Sequence, residues 1–119
     1  MTFDEYQLKA HTTSGIDGVN AIEMSALGLS AESGEVADLV KKHKYHGHVL
    51  DEAKLQEKLG NILWHIAEMA TTLGLSLEGL AWTNVQSELH LQLRSQHCYF
   101  CGAAEGQIHL LGCIHRGIT

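Results

Sequence analysis

LGLSAESGEVADLVKK, residues 27–42, and its later counterpart LQEKLGNILWHIAEMA, residues 55–70, both repeat apolar residues at helical spacing. At 100° per residue, Leu29, Val36, Ala37 and Val40 form one apolar face, and Glu32 and Glu35 lie on its flank. Glu32, Glu35 and Asp38 follow one another at i, i+3, so neighbouring carboxylates share a helix surface. Acids at this spacing most often form a solvated face. The same spacing also sets two carboxylates where a packed partner helix completes a metal site.

On either side of these segments the chain reads as further helix. Residues Thr2 to His11 carry Phe3, Tyr6 and Leu8 between polar residues, which predicts a short helix packed by one edge. TTSGIDG, residues 12–18, is a loop by its small residues and glycines. Helical periodicity then runs from Val19 to about His43, with Gly28 and Gly34 inside it, interior glycines that are tolerable where helices approach closely. KYHGHVLD, residues 44–51, breaks the pattern, and Asp51 is a natural N-cap for a helix with Lys54 to Thr72 as its body. Its apolar face is Leu55, Leu59, Ile62, Leu63, Ile66, Met69, Ala70 and Leu73, and Gly74 stops it. Ser76 caps a further helix that continues through Leu77, Leu80, Ala81, Asn84, Val85 and Leu89 to about Arg94. No strand alternation occurs in residues 1–95. The expected fold is an all-α antiparallel bundle.

A chain of 119 residues with 45% hydrophobic content suits one domain with a small core. The formal net charge is -6, and Lys41, Lys42 and Lys44 are the only basic cluster, which argues against a general nucleic-acid binder. No run of eighteen apolar residues suggests a membrane span, and MTFDEYQLKA lacks the basic flank and apolar stretch of a signal peptide, so a soluble cytoplasmic protein is expected. Three cysteines, an odd number, suit a reducing compartment. The division expected is a helical domain over residues 1–96 and a Cys/His-containing tail over 97–119. In that tail Cys98 and Cys101 have the C-x-x-C spacing, and Cys113 with His115, or His109 as a substitute, completes a structural Zn2+ quartet. The plainer alternative is a mobile tail with free thiols.

The E-x-x-E of Glu32 and Glu35, the interhelix KYHGHVLD, the segment LGNILWHIAEMATTLGLSLEGLA and Asn84 together resemble the MazG-like all-α nucleoside triphosphate pyrophosphohydrolases. The resemblance covers about half of the chain. It implies a bundle completed by dimerisation, as a homodimer or a dimer of dimers. It also implies Mg2+, or Mn2+ in its place, held between two helices, and house-cleaning cleavage of nucleoside triphosphates to monophosphate and pyrophosphate. Glu32 and Glu35 take the family's first pair of metal ligands and are the catalytic carboxylates by that likeness, and Asn84 joins the substrate side.

The chain departs from the family at the second pair. Where the family reads close to E-L-G-D, this chain has Lys58-Leu59-Gly60-Asn61, and Glu57 is rotated 100° from Lys58 and cannot stand in for it. Glu32, Glu35 and Lys58 sum to -1, or -2 if Asp38 turns inward as a further ligand, against -4 for four carboxylates. Asn61 offers at most a neutral oxygen to a cation that prefers anionic octahedral cages. Lys58 therefore has two expected uses: an internal counter-ion in the metal's place, or a contact to substrate phosphate. His65, at +7 from Lys58 and +4 from Asn61, shares that flank and either orients a water or phosphate or is a boundary histidine. Trp64 and Trp82 read either as base-stacking rings or as core and interface. His46 and His48 are a weak metal pair. After Asn84 the family's basic run is replaced by Ser87, Glu88 and an isolated Arg94. Three functions follow: an Mg-dependent nucleotide pyrophosphohydrolase, a catalytically impaired nucleotide-binding or interaction module, or, from the Cys-containing tail, a zinc-dependent partner-binding protein.

Overall fold

The computed structural model describes residues 1–16 and 18–95, so the tail of residues 97–119 and its Zn2+ quartet lie outside the described residues. Every long element is helical: α1 (Phe3–Thr12), α2 (Ala21–His46), α3 (Glu52–Thr72) and α4 (Leu77–Ser95), with a 3-10 turn at Gly18–Asn20 before α2. Among the described residues there is no strand, as the sequence predicts. Met1–Leu80 form one compact unit and Ala81–Thr119 a second, so that α4 starts in one and continues in the other. In the second unit Trp82, Val85 and Leu91 of α4 are exposed.

Local chemistry sets the helix ends. Thr2 Oγ1 accepts from the Glu5 amide at 3.1 Å while Glu5 Oε2 accepts from the Thr2 amide at 2.9 Å, a reciprocal capping box that starts α1. Asp51 Oδ1 accepts from the Lys54 amide at 3.0 Å, the expected cap, although α3 begins at Glu52 directly behind it. Ser76 Oγ accepts from the Gly79 amide at 3.0 Å and opens α4. The long helix α2 departs from its expected end at His43 by running to His46. The stop lies at Gly47, whose φ of 70° places it in the left-handed region, and the Gly47 and His48 amides both reach the Lys42 carbonyl. Lys44, Tyr45 and His46 are polar but not helix-breaking, so composition misread them as loop.

Helix α1 packs on α3. Ala10, Ala67 and Leu77 form the buried centre, with Tyr6, Leu63, Trp64 and Ile66 around it. Gln7 pins α1 to the end of α3: its Nε2 donates to Thr71 Oγ1 at 3.1 Å and to the Leu75 carbonyl at 2.9 Å, and its Oε1 accepts from the Leu77 amide at 2.8 Å. Trp64 belongs to this core, and its Nε1 donates to Thr13 Oγ1 at 3.0 Å.

Helices α2 and α3 pair antiparallel. Glu35 meets Lys58, Glu32 meets Asn61 and Gly28 meets His65, so each step back along α2 is matched by an equal step forward along α3. At Gly28 the imidazole of His65 occupies the space a side chain would need, with Nδ1 2.6 Å from where a Cβ would stand. Gly28→Ala should therefore lower stability by about 1–3 kcal/mol, despite the usual helix gain of about 1 kcal/mol for replacing glycine. In a His65→Ala background the same change should raise stability. Denaturant midpoints of the four chains test this, and equal effects of Gly28→Ala in both backgrounds would refute it.

Candidate functional site

Two residues spaced i, i+3 on each of two helices build the site: Glu32 and Glu35 on α2, Lys58 and Asn61 on α3. The Lys58 ammonium contacts both carboxylates, Glu32 Oε2 at 3.3 Å and Glu35 Oε2 more closely. Asn61 Nδ2 donates to the same Glu32 oxygen at 3.3 Å. Lys58 and Glu32 are largely shielded, with side chains 17% and 20% exposed, whereas Glu35 is 54% exposed and forms the rim toward water. Glu32 is thus held by two donors within the seam. Glu35 is held by one at its mouth.

Hydrogen bonding to Glu35 raises the Lys58 pKa above its ordinary 10.5, partial burial opposes the rise, and Glu32 adds to it. A raised lysine pKa stabilises the fold fully below the unfolded value and loses that contribution as pH climbs through the folded one. Between neutral pH and about pH 10 the pair should therefore be indifferent to pH, and above that the chain should lose stability more steeply than Lys58→Met does. Thermal midpoints of both chains from pH 7 to pH 11 test this, and parallel curves would contradict it.

The ammonium lies where a bound cation between these helices would need its ligands free, so Glu32, Glu35, Lys58 and Asn61 as arranged do not fit Mg2+. Asp38 does not turn inward to help. It pairs with Lys42 at 2.8 Å and with Lys41 at 3.6 Å along its own helix, and the hydrogen bond from Lys42 is the main cause of its lowered pKa. Among the described residues no three His, Cys, Asp or Glu side chains gather as a metal site, His46 and His48 included. The His43 ring instead bonds the His48 carbonyl, with Nδ1 to oxygen 2.9 Å.

The remaining expected residues are dispersed. His65 lies on the seam, but its ring is seated on Gly28, edge-on to Trp64 with 5.0 Å between centroids, and its Nδ1 is buried without a protein partner. Asn84 is exposed on α4 in the second unit.

Reading the composition missed the inner half of the seam. Continuing the register, Ser25 stands opposite Glu68, both almost wholly buried at 0% and 2% exposure. Glu68 Oε2 lies 3.4 Å from His11 Nδ1 on α1, while Glu68 Oε1 and Ser25 Oγ have no protein partner. The signal was present as a polar line, Lys58, Asn61, His65 and Glu68 at +3, +4 and +3, but the stronger apolar period of α3 hid it.

No protein-family model matches the chain, and no solved structure does. The chain is similar to the Gene 37 protein of Mycobacterium phage L5, with 27% identity over 117 residues that span 90% of this chain and 100% of that protein. That share of this chain is larger than residues 1–96, so the similarity runs into the Cys-containing segment. Among the described residues no helix is long and apolar enough to cross a membrane.

Proposed function

We propose that this chain is a MazG-like helical domain whose metal position between α2 and α3 has been taken over by Lys58, and that it works as a cytoplasmic, homodimeric nucleotide-binding or interaction module and not as a hydrolase. The observation that carries this reading is the contact of one ammonium with both carboxylates of the E-x-x-E pair, with Asn61 donating to the same Glu32 oxygen. A metal-dependent hydrolase of this kind draws its nucleophile and its charge neutralisation from the cation. A lysine in that place neutralises charge but supplies neither a bound water of lowered pKa nor a bridge between phosphate oxygens.

The test is pyrophosphate release from a panel of ribonucleoside and deoxynucleoside triphosphates with Mg2+ or Mn2+. The unaltered chain should be silent. Turnover that Glu35→Ala abolishes would replace this reading with the hydrolase, in which an Mg-nucleotide draws Lys58 onto its phosphates. Equilibrium dialysis with the same nucleotides separates a nucleotide-binding module from one that recognises protein alone.

A further inference from the structure

Where α1 packs on the end of α3, the two helices and the turn after α3 border a cavity of about 450 Å3 to which α2 contributes no lining residue. Small-molecule sites occupy roughly 300–1,000 Å3. Helical spacing sets the α1 wall: Asp4, Leu8 and His11, at i, i+4 and i+7, share one face. Leu75 stands in the other wall, and both leucines remain open to water, at 72% and 45% exposure. The α1 wall therefore runs from a carboxylate through an apolar middle to an imidazole.

The other polar groups of the lining are already engaged. Gln7 spends its amide on Thr71 Oγ1, the Leu75 carbonyl and the Leu77 amide, and Thr71 Oγ1 donates to the Ala67 carbonyl. Ser76 Oγ donates to Asp4 Oδ1 at 2.8 Å and accepts from the Gly79 amide. What is left accepts hydrogen bonds: Asp4 Oδ2, and His11 Nε2, which carries the lone pair of a neutral ring when Nδ1 donates to Glu68 Oε2. The surrounding potential has the matching sign. Among the described residues no Lys or Arg lines the cavity, and the last turn of α3, the negative pole of that helix, holds no basic residue. Lys9 is turned by about 100° or more from each of Asp4, Leu8 and His11 around α1.

We infer that this cavity is a binding site for a short aliphatic diamine, with one ammonium on Asp4, the other donating to His11 Nε2, and the methylenes lying against Leu8 and Leu75. Seven residues of helix set Asp4 and His11 about 10 Å apart along the α1 axis, and a hydrogen bond of about 2.8 Å at each end leaves roughly 5 Å for the ligand between its nitrogens. A four-carbon diamine covers that span. A carboxylate ligand would meet Asp4 with like charge, and an uncharged alkyl chain would leave both acceptors unmet. The assignment uses no residue of the Lys58 cluster and stands independently of the function proposed for it.

Isothermal titration of the full chain with 1,4-diaminobutane should show saturable binding, tighter than that of 1-aminobutane, while 1-butanol and butanoate do not bind. Asp4→Asn keeps an acceptor for Ser76 and should weaken both amines by about tenfold or more, the loss of one charge-assisted contact. His11→Phe should weaken the diamine to the level of the monoamine and leave the monoamine unchanged, a pattern that general destabilisation would not give. Glu57→Gln, which removes an exposed carboxylate of α3 outside the cavity, should leave binding as it is. The absence of saturable diamine binding would overturn the site. Equal losses in Asp4→Asn and Glu57→Gln would overturn it too, as diffuse attraction to a chain of net charge -6, and so would a preference for the diamine that survives His11→Phe.

Discussion

Lys58→Glu combined with Asn61→Asp should make the folding stability of this chain depend on Mg2+, where that of the unaltered chain does not. The two changes replace one cation and one neutral amide with carboxylates, so the formal charge of the cluster moves from -1 to -4. Without a cation, four carboxylates across α2 and α3 repel one another at the separation Lys58 now bridges, 3.3 Å to Glu32 Oε2. The variant should therefore be less stable than the unaltered chain in chelator. With Mg2+ added, the anions become oxygen ligands, and affinity should rise by on the order of two to three orders of magnitude over the unaltered chain. At a metal concentration 100-fold above the dissociation constant, linkage adds about 2.7 kcal/mol, which for a small domain moves the thermal midpoint by on the order of 10 °C. Thermal melts of both chains in chelator and in increasing Mg2+ or Mn2+ read this directly. A variant that stays helical and ignores both metals would mean that the seam is not a metal site with its cation exchanged for lysine. An unaltered chain that gains as much as the variant would mean that Lys58 leaves when metal arrives. Pyrophosphate release by the variant is a separate question, since a bound metal adds no cation near Asn84, after which the first Lys or Arg is Arg94.

The meeting of Lys58 with Glu32 and Glu35 was legible in the sequence. The resemblance set Lys58 opposite the E-x-x-E pair and left it two uses, an internal counter-ion or a contact to phosphate, and its contacts with Glu32 and Glu35 are those of the first. The caps at Asp51 and Ser76 were legible too, since a short polar side chain before a helical run has a local task that tertiary packing does not alter. The direction in which the apolar stripes face was less accessible. Amphipathic periodicity finds a face on each helix but not what it packs against, and polar contacts join α2 to α3 here. They meet along Glu32, Glu35 and Gly28 on one side and Lys58, Asn61 and His65 on the other, because the ion pair and the close approach at Gly28 set the rotation of both helices. Glu68 was missed for the same reason. A lone glutamate between Ala67 and Met69 reads as the polar back of a helix until the seam turns that back inward.

Glu68→Met should raise stability by about 1–3 kcal/mol, an uncommon direction for a change at a buried position. The side chain is 2% exposed and its single polar contact is long, 3.4 Å from Oε2 to His11 Nδ1, while Oε1 has no protein partner. Burying a polar group without a good partner costs about 1–3 kcal/mol, and methionine keeps nearly the volume while removing that cost. His11 is half exposed and loses little when its partner goes, because water replaces the carboxylate. Ser25→Ala, across the seam, should gain about 1 kcal/mol by the same reasoning, since its wholly buried hydroxyl has no protein partner. The two gains should not simply add, because the positions face each other and removing one group changes what the other can contact. Urea midpoints of the single and double variants measure both the gains and their coupling. A loss of more than about 1 kcal/mol in Glu68→Met would have a definite meaning: ordered water or a ligand group satisfies Glu68 Oε1 and Ser25 Oγ in solution, and the inner seam is then a binding position in its own right. A gain would make it a polar strip that costs stability, kept in a chain whose outer seam holds its charges in ion pairs.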